Sequence, residues 1–258
     1  MKKKKLLIFI VAYNAEKTIE NTLNRIPKKL SKIYDIEILI IDDFSDDKTF
    51  EISKKIKKNK KLGLKLNILY NHQNQGYGGN QKIGYHYAIK KNFDYVVLLH
   101  GDGQYAPEKL PNLLNELKKK KYDVVMGSRM IKKKNAIKGG MPIYKFIGNI
   151  ILTKIQNFLL GTKLSEFHSG YRVYNVKSLK KIPFLLNSNS YNFDTEIIIQ
   201  LKLVDFKIKE VAIPTFYGQE ISYLNGIDYA CNILINTFIG SLHRFGFKFQ
   251  KKFNLKKN

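Results

Sequence analysis

Tryptophan is missing from this 258-residue chain, and cysteine is nearly so: Cys231 stands alone. One thiol excludes an internal disulfide and fits a reducing compartment, and such a thiol is expected in the core. No run reaches the eighteen or so apolar residues that a membrane span needs. The longest, residues 229–242, is broken by Asn232 and Asn236. Residues 1–11 begin basic and turn briefly apolar without a small-residue cleavage site, so they read as a first strand rather than a signal peptide.

Acid is scarce, with 21 Asp and Glu against 46 Lys and Arg, for a formal charge of +25. A field of that sign draws polyanions without discrimination, so nucleic acid, anionic lipid and nucleotide-sugars all stay open on charge alone. Arginine is scarcer still. Only Arg25, Arg129, Arg172 and Arg244 break the lysine habit, and a planar fork that grips phosphate in two places is the reason to look at each. No aromatic-basic strand pattern or recognition helix accompanies the charge, so no specific nucleic-acid partner is expected. GxGxxG and GxxxxGK[ST] are also absent, which excludes the dinucleotide fingerprint and the P-loop.

What is present is alternation. Compact apolar runs at 6–11, 36–41, 66–70, 95–99 and 122–126 read as buried strands, separated by helical patterns at about 19–26, 48–58, 77–88 and from Pro107. Strand and helix in turn predict an α/β fold with a mostly parallel sheet. The chain centres on 95–108, an apolar run ending in His100-Gly101-Asp102-Gly103-Gln104. Ligands of an open α/β sheet sit at strand carboxyl ends, and oxygen donors from Asp102 and Gln104 suit Mg2+ or Mn2+ carrying a diphosphate. A simple turn explains the same residues on their own.

The glycine-rich loop around 76–79 is of a kind that presents backbone N–H groups to anions. Residues 132–140 read as a mobile basic loop or a lid. Ile143, Phe146, Ile147, Ile150, Ile151, Ile155, Phe158 and Leu159 make one amphipathic helix; packing on the sheet is the simpler reading, and a membrane surface is the other. Residues 166–174 turn into a short strand. Asp194 and Glu196 open a helix through Leu203, where capping alone could account for them. A strand at 207–214 and a helical pattern at 221–247 follow, giving one domain over 1–218 and a helical extension over 219–258.

Val11-Ala12-Tyr13-Asn14, Ile41-Asp42-Asp43 with Ser45, the 76–79 loop, His100 to Gln104, Gly127-Ser128-Arg129, Ser169-Gly170-Tyr171-Arg172 and Phe193-Asp194-Thr195-Glu196 occur in this order. Together they resemble the family 2 glycosyltransferases of GT-A fold, and look most like the branch of dolichyl-phosphate mannose and glucose synthases. The resemblance implies an inverting transferase moving a sugar from a UDP- or GDP-linked donor to a polyprenyl phosphate or to a glycan or glycolipid hydroxyl. It implies that Ala12, Tyr13, Asn14, Glu16, Asp42, Asp43, Gly76, Gly79 and Asn80 hold the nucleotide-sugar. Asp102, Gln104 and His100 would carry Mn2+ or Mg2+, and Arg129, Ser169 and Arg172 phosphate oxygens of donor or acceptor. Asp102 would be catalytic, with Asp194 and then Glu196 as the base if the acceptor is a hydroxyl. A cytoplasmic enzyme, peripheral on an anionic inner membrane face, is the implied setting. The chain departs from the family pattern where Val11 replaces a proline, Ala15 an acid, Tyr77 a lysine and His100 the first aspartate of the metal motif. Imidazole suits Mn2+ and softer ions better than Mg2+. A nucleotide-sugar-binding protein without catalysis is the alternative that His100 raises.

Overall fold

The computed structural model describes residues 2–60, 62–214, 216–217 and 226–255. The chain runs β1 (Lys4–Ala12), α1 (Ile19–Asn24), β2 (Tyr34–Asp42), α2 (Thr49–Asn59), β3 (Lys65–Tyr70), α3 (Tyr77–Lys90), β4 (Tyr95–His100), α4 (Leu110–Lys118) and β5 (Val124–Ser128). It continues through α5 (Lys133–Lys138), α6 (Ile143–Leu160), β6 (Arg172–Asn175), α7 (Val176–Leu179), α8 (Phe193–Leu203), β7 (Ile208–Ala212) and α9 (Gly226–Arg244). The strands form one seven-stranded sheet in the order β3-β2-β1-β4-β6-β5-β7. Every pairing is parallel except those of β6, which runs against both β4 and β5. This is the mostly parallel α/β architecture that alternation predicts.

Continuous apolar runs become the central strands because both faces are covered. Leu7 and Phe9 of β1 pack with Tyr85 of α3 and Ile197 of α8. Leu6, Ile8 and Ile10 face the other way, toward Leu23 of α1 and Leu113 of α4. Fully burying each such side chain contributes about 1.5–3 kcal/mol, which fixes these strands and their register. β1 leads to β2 on one side, while β4 adds to its other side, so the sheet's topological switch lies between the carboxyl ends of β1 and β4. There the Gly101 N–H continues the ladder by donating to the Val11 carbonyl at 2.8 Å.

Three sequence expectations need correcting. Residues 132–140 are not simply a loop, since they contain the short helix α5, anchored by Ala136. Cys231 is exposed rather than in the core. Most consequentially, α6 is inverted: its buried residues are Asn149, Thr153, Gln156 and Leu160. Ile143, Tyr144, Ile147, Ile151, Ile155 and Phe158 are exposed, Phe158 at 86%. The polar side of α6 faces α9, where Gln156 donates to Thr237 at 3.4 Å. Helix α9 does so in part, burying Thr237, Gly240 and Ser241 alongside Ile233 while Ile227, Ile235 and Phe238 are exposed. Beyond α9, Lys252 donates to Glu196 at 2.8 Å and to Asn236 at 2.9 Å. The domain boundary expected at 218, and the start of a helical pattern at 221, lie outside the described residues.

Candidate active site

The strand tips at the switch are laced to one another before any ligand arrives. Asn14, with φ at 49°, donates its N–H to Ser45 Oγ at 3.0 Å and accepts from the Asp46 N–H at 2.9 Å. Glu16 accepts from the Lys48 N–H at 3.1 Å. These residues therefore shape the pocket wall, with Ala12 buried beneath it and Tyr13 at the surface above. Asp43 accepts from Asn71 at 2.7 Å and from the Gln75 N–H at 2.9 Å, a brace between the β2 and β3 tips. Asp42 differs. Its Oδ1 accepts from the Ser45 N–H at 2.9 Å, but its buried Oδ2 has no hydrogen-bond partner. Burial raises the Asp42 carboxyl above its usual range. A buried acceptor without a donor is costly, so this oxygen is an opening for a ligand N–H.

One strand over, the β4 tip is equally specific. Asp102 Oδ1 accepts from the Gln104 N–H at 2.9 Å, which turns Oδ2 toward His100 Nδ1 at 3.9 Å. Thr18 donates to the Gly101 carbonyl at 2.7 Å. Arg25 forks onto Glu108 at 2.7 and 3.1 Å and donates to the Gly103 carbonyl at 3.3 Å, so this arginine fastens the 101–108 loop. His100 lies edge-on to Tyr105, ring centres 4.8 Å apart. Its Nε2 is 3.0 Å from Tyr77 Oη, and Tyr77 donates to Asp194 at 3.0 Å. Burial lowers the imidazole pKa, disfavouring the charged ring. A Cβ on Gly170 would come within 2.4 Å of His100 Nε2 and 2.5 Å of Tyr77 Oη, so only glycine lets that backbone seal the pair.

The two arginines expected on phosphate are committed inside the fold instead. Arg129 grips Glu166 through Nε at 2.8 Å and through Nη2, and donates to Tyr217 at 2.9 Å and to the His168 carbonyl at 3.0 Å. Arg172, 0% exposed, donates to the carbonyls of Ser169, Asp194 and Phe167 at 2.8, 2.8 and 3.0 Å and lies 3.4 Å from the Asp194 carboxylate. Burial works against the Arg172 charge, yet Asp194 and Tyr174 hold its pKa above the ordinary value. Both arginines are braces under the rim. Ser169, expected beside them on phosphate, has a buried hydroxyl without a hydrogen-bond partner.

The glycine loop is not an anion cradle either. The Gly78 and Gly79 N–H groups donate to the Asn189 carbonyl at 2.7 and 3.2 Å, and Gly76 donates to Asn74 Oδ1 at 2.8 Å. Asn80 donates to the Ile41 carbonyl at 3.0 Å. Nor are the two candidate bases available: Asp194 accepts from Tyr77 and from Gln81 at 3.2 Å. Glu196 accepts from the Ser188 N–H at 2.6 Å and from Lys252. Sequence reasoning passed over Tyr77, Gln81 and Tyr105 as site residues, and Glu166 as well. The last carried a signal, being the single acid between Asp123 and Asp194, a span that holds both braced arginines.

For a divalent ion the donor set is small but coherent: His100 Nδ1, Asp102 Oδ2 and the adjacent Gln104. Among the described residues no group of three or more His, Cys, Asp or Glu could hold a metal. The residues thus fit an ion completed mostly by diphosphate and water oxygens, the habit of Mg2+ and Mn2+ at nucleotide sites.

Comparison with known proteins agrees. Residues 7–183 match the family model for Glycosyl transferase family 2. UDP-N-acetylglucosamine–dolichyl-phosphate N-acetylglucosaminyltransferase of Methanococcus voltae is 31% identical over 228 residues, 85% of this chain and 88% of that protein. Undecaprenyl-phosphate mannosyltransferase of Micrococcus luteus is 24% identical over 218 residues, 84% of this chain and 85% of that protein. In the crystal structure of glucosyl-3-phosphoglycerate synthase from Mycobacterium tuberculosis with UDP, the fold superposes at a TM-score of 0.64. Identity there is 16%, over 95% of this chain and 81% of that one. The same enzyme has been crystallised with UDP and Mg2+ and with UDP and Mn2+.

Proposed function

The chain belongs to glycosyl transferase family 2 and is a glycosyltransferase; from that premise we propose that it moves a sugar from a UDP-linked donor to a polyprenyl phosphate at an anionic membrane surface, with inversion. The nucleotide base lies against Tyr13 and donates an N–H to Asp42 Oδ2, the buried acceptor that the fold leaves without a partner. The diphosphate extends across the switch to Asp102, His100 and Gln104. A divalent cation bound there would neutralise charge developing on the leaving diphosphate. The acceptor phosphate oxygen attacks C1 of the sugar from the face opposite the diphosphate; the new O–C1 bond forms as the C1–O bond to the diphosphate breaks.

A phosphate nucleophile is already anionic at neutral pH and needs no base. That matches a site in which Asp194 and Glu196 are both engaged by protein donors. The observation that carries the acceptor and its setting is the inversion of α6 and α9, which turn apolar faces outward. Lys145, Lys154 and the lysines at 132–134 and 138 supply cations suited to anionic headgroups. Among the described residues no helix is long and apolar enough to cross a membrane, so contact would be along the surface. Catalysis is favoured over binding alone because the named relatives are transferases.

The test is to offer radiolabelled UDP- and GDP-sugars with Mn2+ and vesicles holding polyprenyl phosphate in anionic or zwitterionic lipid. The expected result is label entering the lipid phase as an acid-labile product, from UDP donors and on anionic vesicles. Transfer only to hydroxyl acceptors in free solution would overturn the lipid assignment.

A further inference from the structure

The β4 tip departs from a plain oxygen site because His100 stands where the motif usually offers a carboxylate, and its neighbours decide which face of the ring is useful. Tyr77 carries one hydroxyl proton. That proton is donated to Asp194 Oδ2 at 3.0 Å, the carboxyl group whose other oxygen lies 3.4 Å from the Arg172 guanidinium. The Tyr77 oxygen must then accept from its other neighbour, His100 Nε2, at 3.0 Å. His100 is therefore protonated on Nε2, and Nδ1 keeps its lone pair. That nitrogen is the one turned toward Asp102 Oδ2, at 3.9 Å. Cis positions on an octahedral ion with bonds of about 2.1 Å lie about 3 Å apart, so a modest swing of the partly exposed Asp102 side chain brings both atoms onto one ion.

The ring has little freedom to do otherwise. Tyr105 closes on one side with ring centres 4.8 Å apart, and Tyr77 meets it edge-on at 5.3 Å. Tyr77 itself stacks on Tyr191 at 5.1 Å. The Gly170 backbone seals the Nε2–Oη bond. A ligating imidazole that donates its other N–H to an oriented acceptor is the arrangement by which proteins fix a metal-binding tautomer.

We infer that His100 Nδ1 and Asp102 Oδ2 together ligate the divalent cation of the donor diphosphate, that Tyr77 is the positioning residue holding His100 in the ligating tautomer, and that this nitrogen donor tilts the site toward Mn2+ over Mg2+. The inference rests on the proposed donor diphosphate at this rim, but it concerns this chain's own departures, His100 and Tyr77, as a linked pair. Both ions favour oxygen donors, but an imidazole nitrogen costs Mg2+ more than it costs the softer Mn2+.

Pulsed EPR on the protein with Mn2+ and UDP tests it, because 31P coupling reports the diphosphate and strong 14N coupling reports a directly bound imidazole. Wild type is expected to show both. His100→Asp should keep the 31P coupling, lose the 14N coupling, and narrow the preference for Mn2+ over Mg2+ in competition titrations by about tenfold. Tyr77→Phe keeps the ring packing but removes the acceptor of the Nε2 proton; it should weaken Mn2+ binding by about tenfold and diminish the 14N signal, while His100→Asp combined with Tyr77→Phe should bind Mn2+ no worse than His100→Asp alone. Wild-type Mn2+ with 31P coupling and no 14N coupling would overturn the histidine ligand and leave the donor site standing. Absence of both couplings would overturn the donor site as well.

Discussion

The acidic and the basic halves of the rim are built in opposite ways. On the β1, β2 and β4 side, Asp42 and Asp102 each use one carboxylate oxygen to hold a turn, leaving Asp42 Oδ2 without a protein partner and Asp102 Oδ2 3.9 Å from His100 Nδ1. On the β5 and β6 side, Arg129 and Arg172 are closed inside the fold on Glu166, Asp194 and backbone carbonyls. The site therefore offers acceptors, not bare cations, to what enters. For the proposed donor diphosphate a metal at this rim would supply the counter-charge, while the buried arginines brace the fold beneath it.

The contrast can be broken most sharply at Asp102. Asp102→Ala should lower kcat/KM for sugar transfer by about a thousandfold with little change in melting temperature, since the side chain is 41% exposed; steady-state transfer beside a thermal melt checks both. Arg172→Gln should do the reverse in kind. Removing one partner of a buried pair destabilises by about 3–5 kcal/mol, seen as a lower urea midpoint, and if the variant were fully stable with only donor affinity lost, Arg172 would be a phosphate ligand after all.

A third test uses pH. Burial pushes the His168 imidazole from 6.5 down to about 4. Between those values the unfolded chain binds a proton that the folded chain refuses, so stability falls as pH drops through this window, by at most about 3 kcal/mol. Arg129 holds the Glu166 carboxyl below 4.5 against the effect of burial. Its contribution is present above that value and disappears on further acidification. Urea unfolding across pH 4 to 7 should show a slope that His168→Gln flattens. The mildest change is at Asp42: Asp42→Asn, which puts an amide where an acceptor stands, should weaken UDP binding by about thirtyfold, on the scale of one buried hydrogen bond to a charged group, with calorimetry as the readout.

The sequence made the sheet legible because the runs through β1, β2 and β4 are covered on both faces and have no alternative use. It made the acidic tips legible because Asp42 and Asp102 stand where β2 and β4 end. The arginines' internal partners were hidden for a physical reason. A guanidinium fork fits a protein carboxylate as well as a phosphate, and Glu166 lies 37 residues from Arg129. The glycine loop misled in the same way, its amides meeting the Asn189 carbonyl across more than a hundred residues of chain. Helix α6 was visible as an amphipathic pattern, but periodicity does not say which face is inward. The face is decided by what meets it, as where Gln156 finds Thr237 of α9.

Since β6 opposes its neighbours, the segment before it arrives at the rim that other strands reach on leaving. Everything from the end of β5 to the start of β6, including α5 and α6, is thus spliced into the rim at a single place. The Arg129–Glu166 grip and the Gly170 backbone against His100 and Tyr77 tie the two ends of that insertion to the rim it leaves and rejoins.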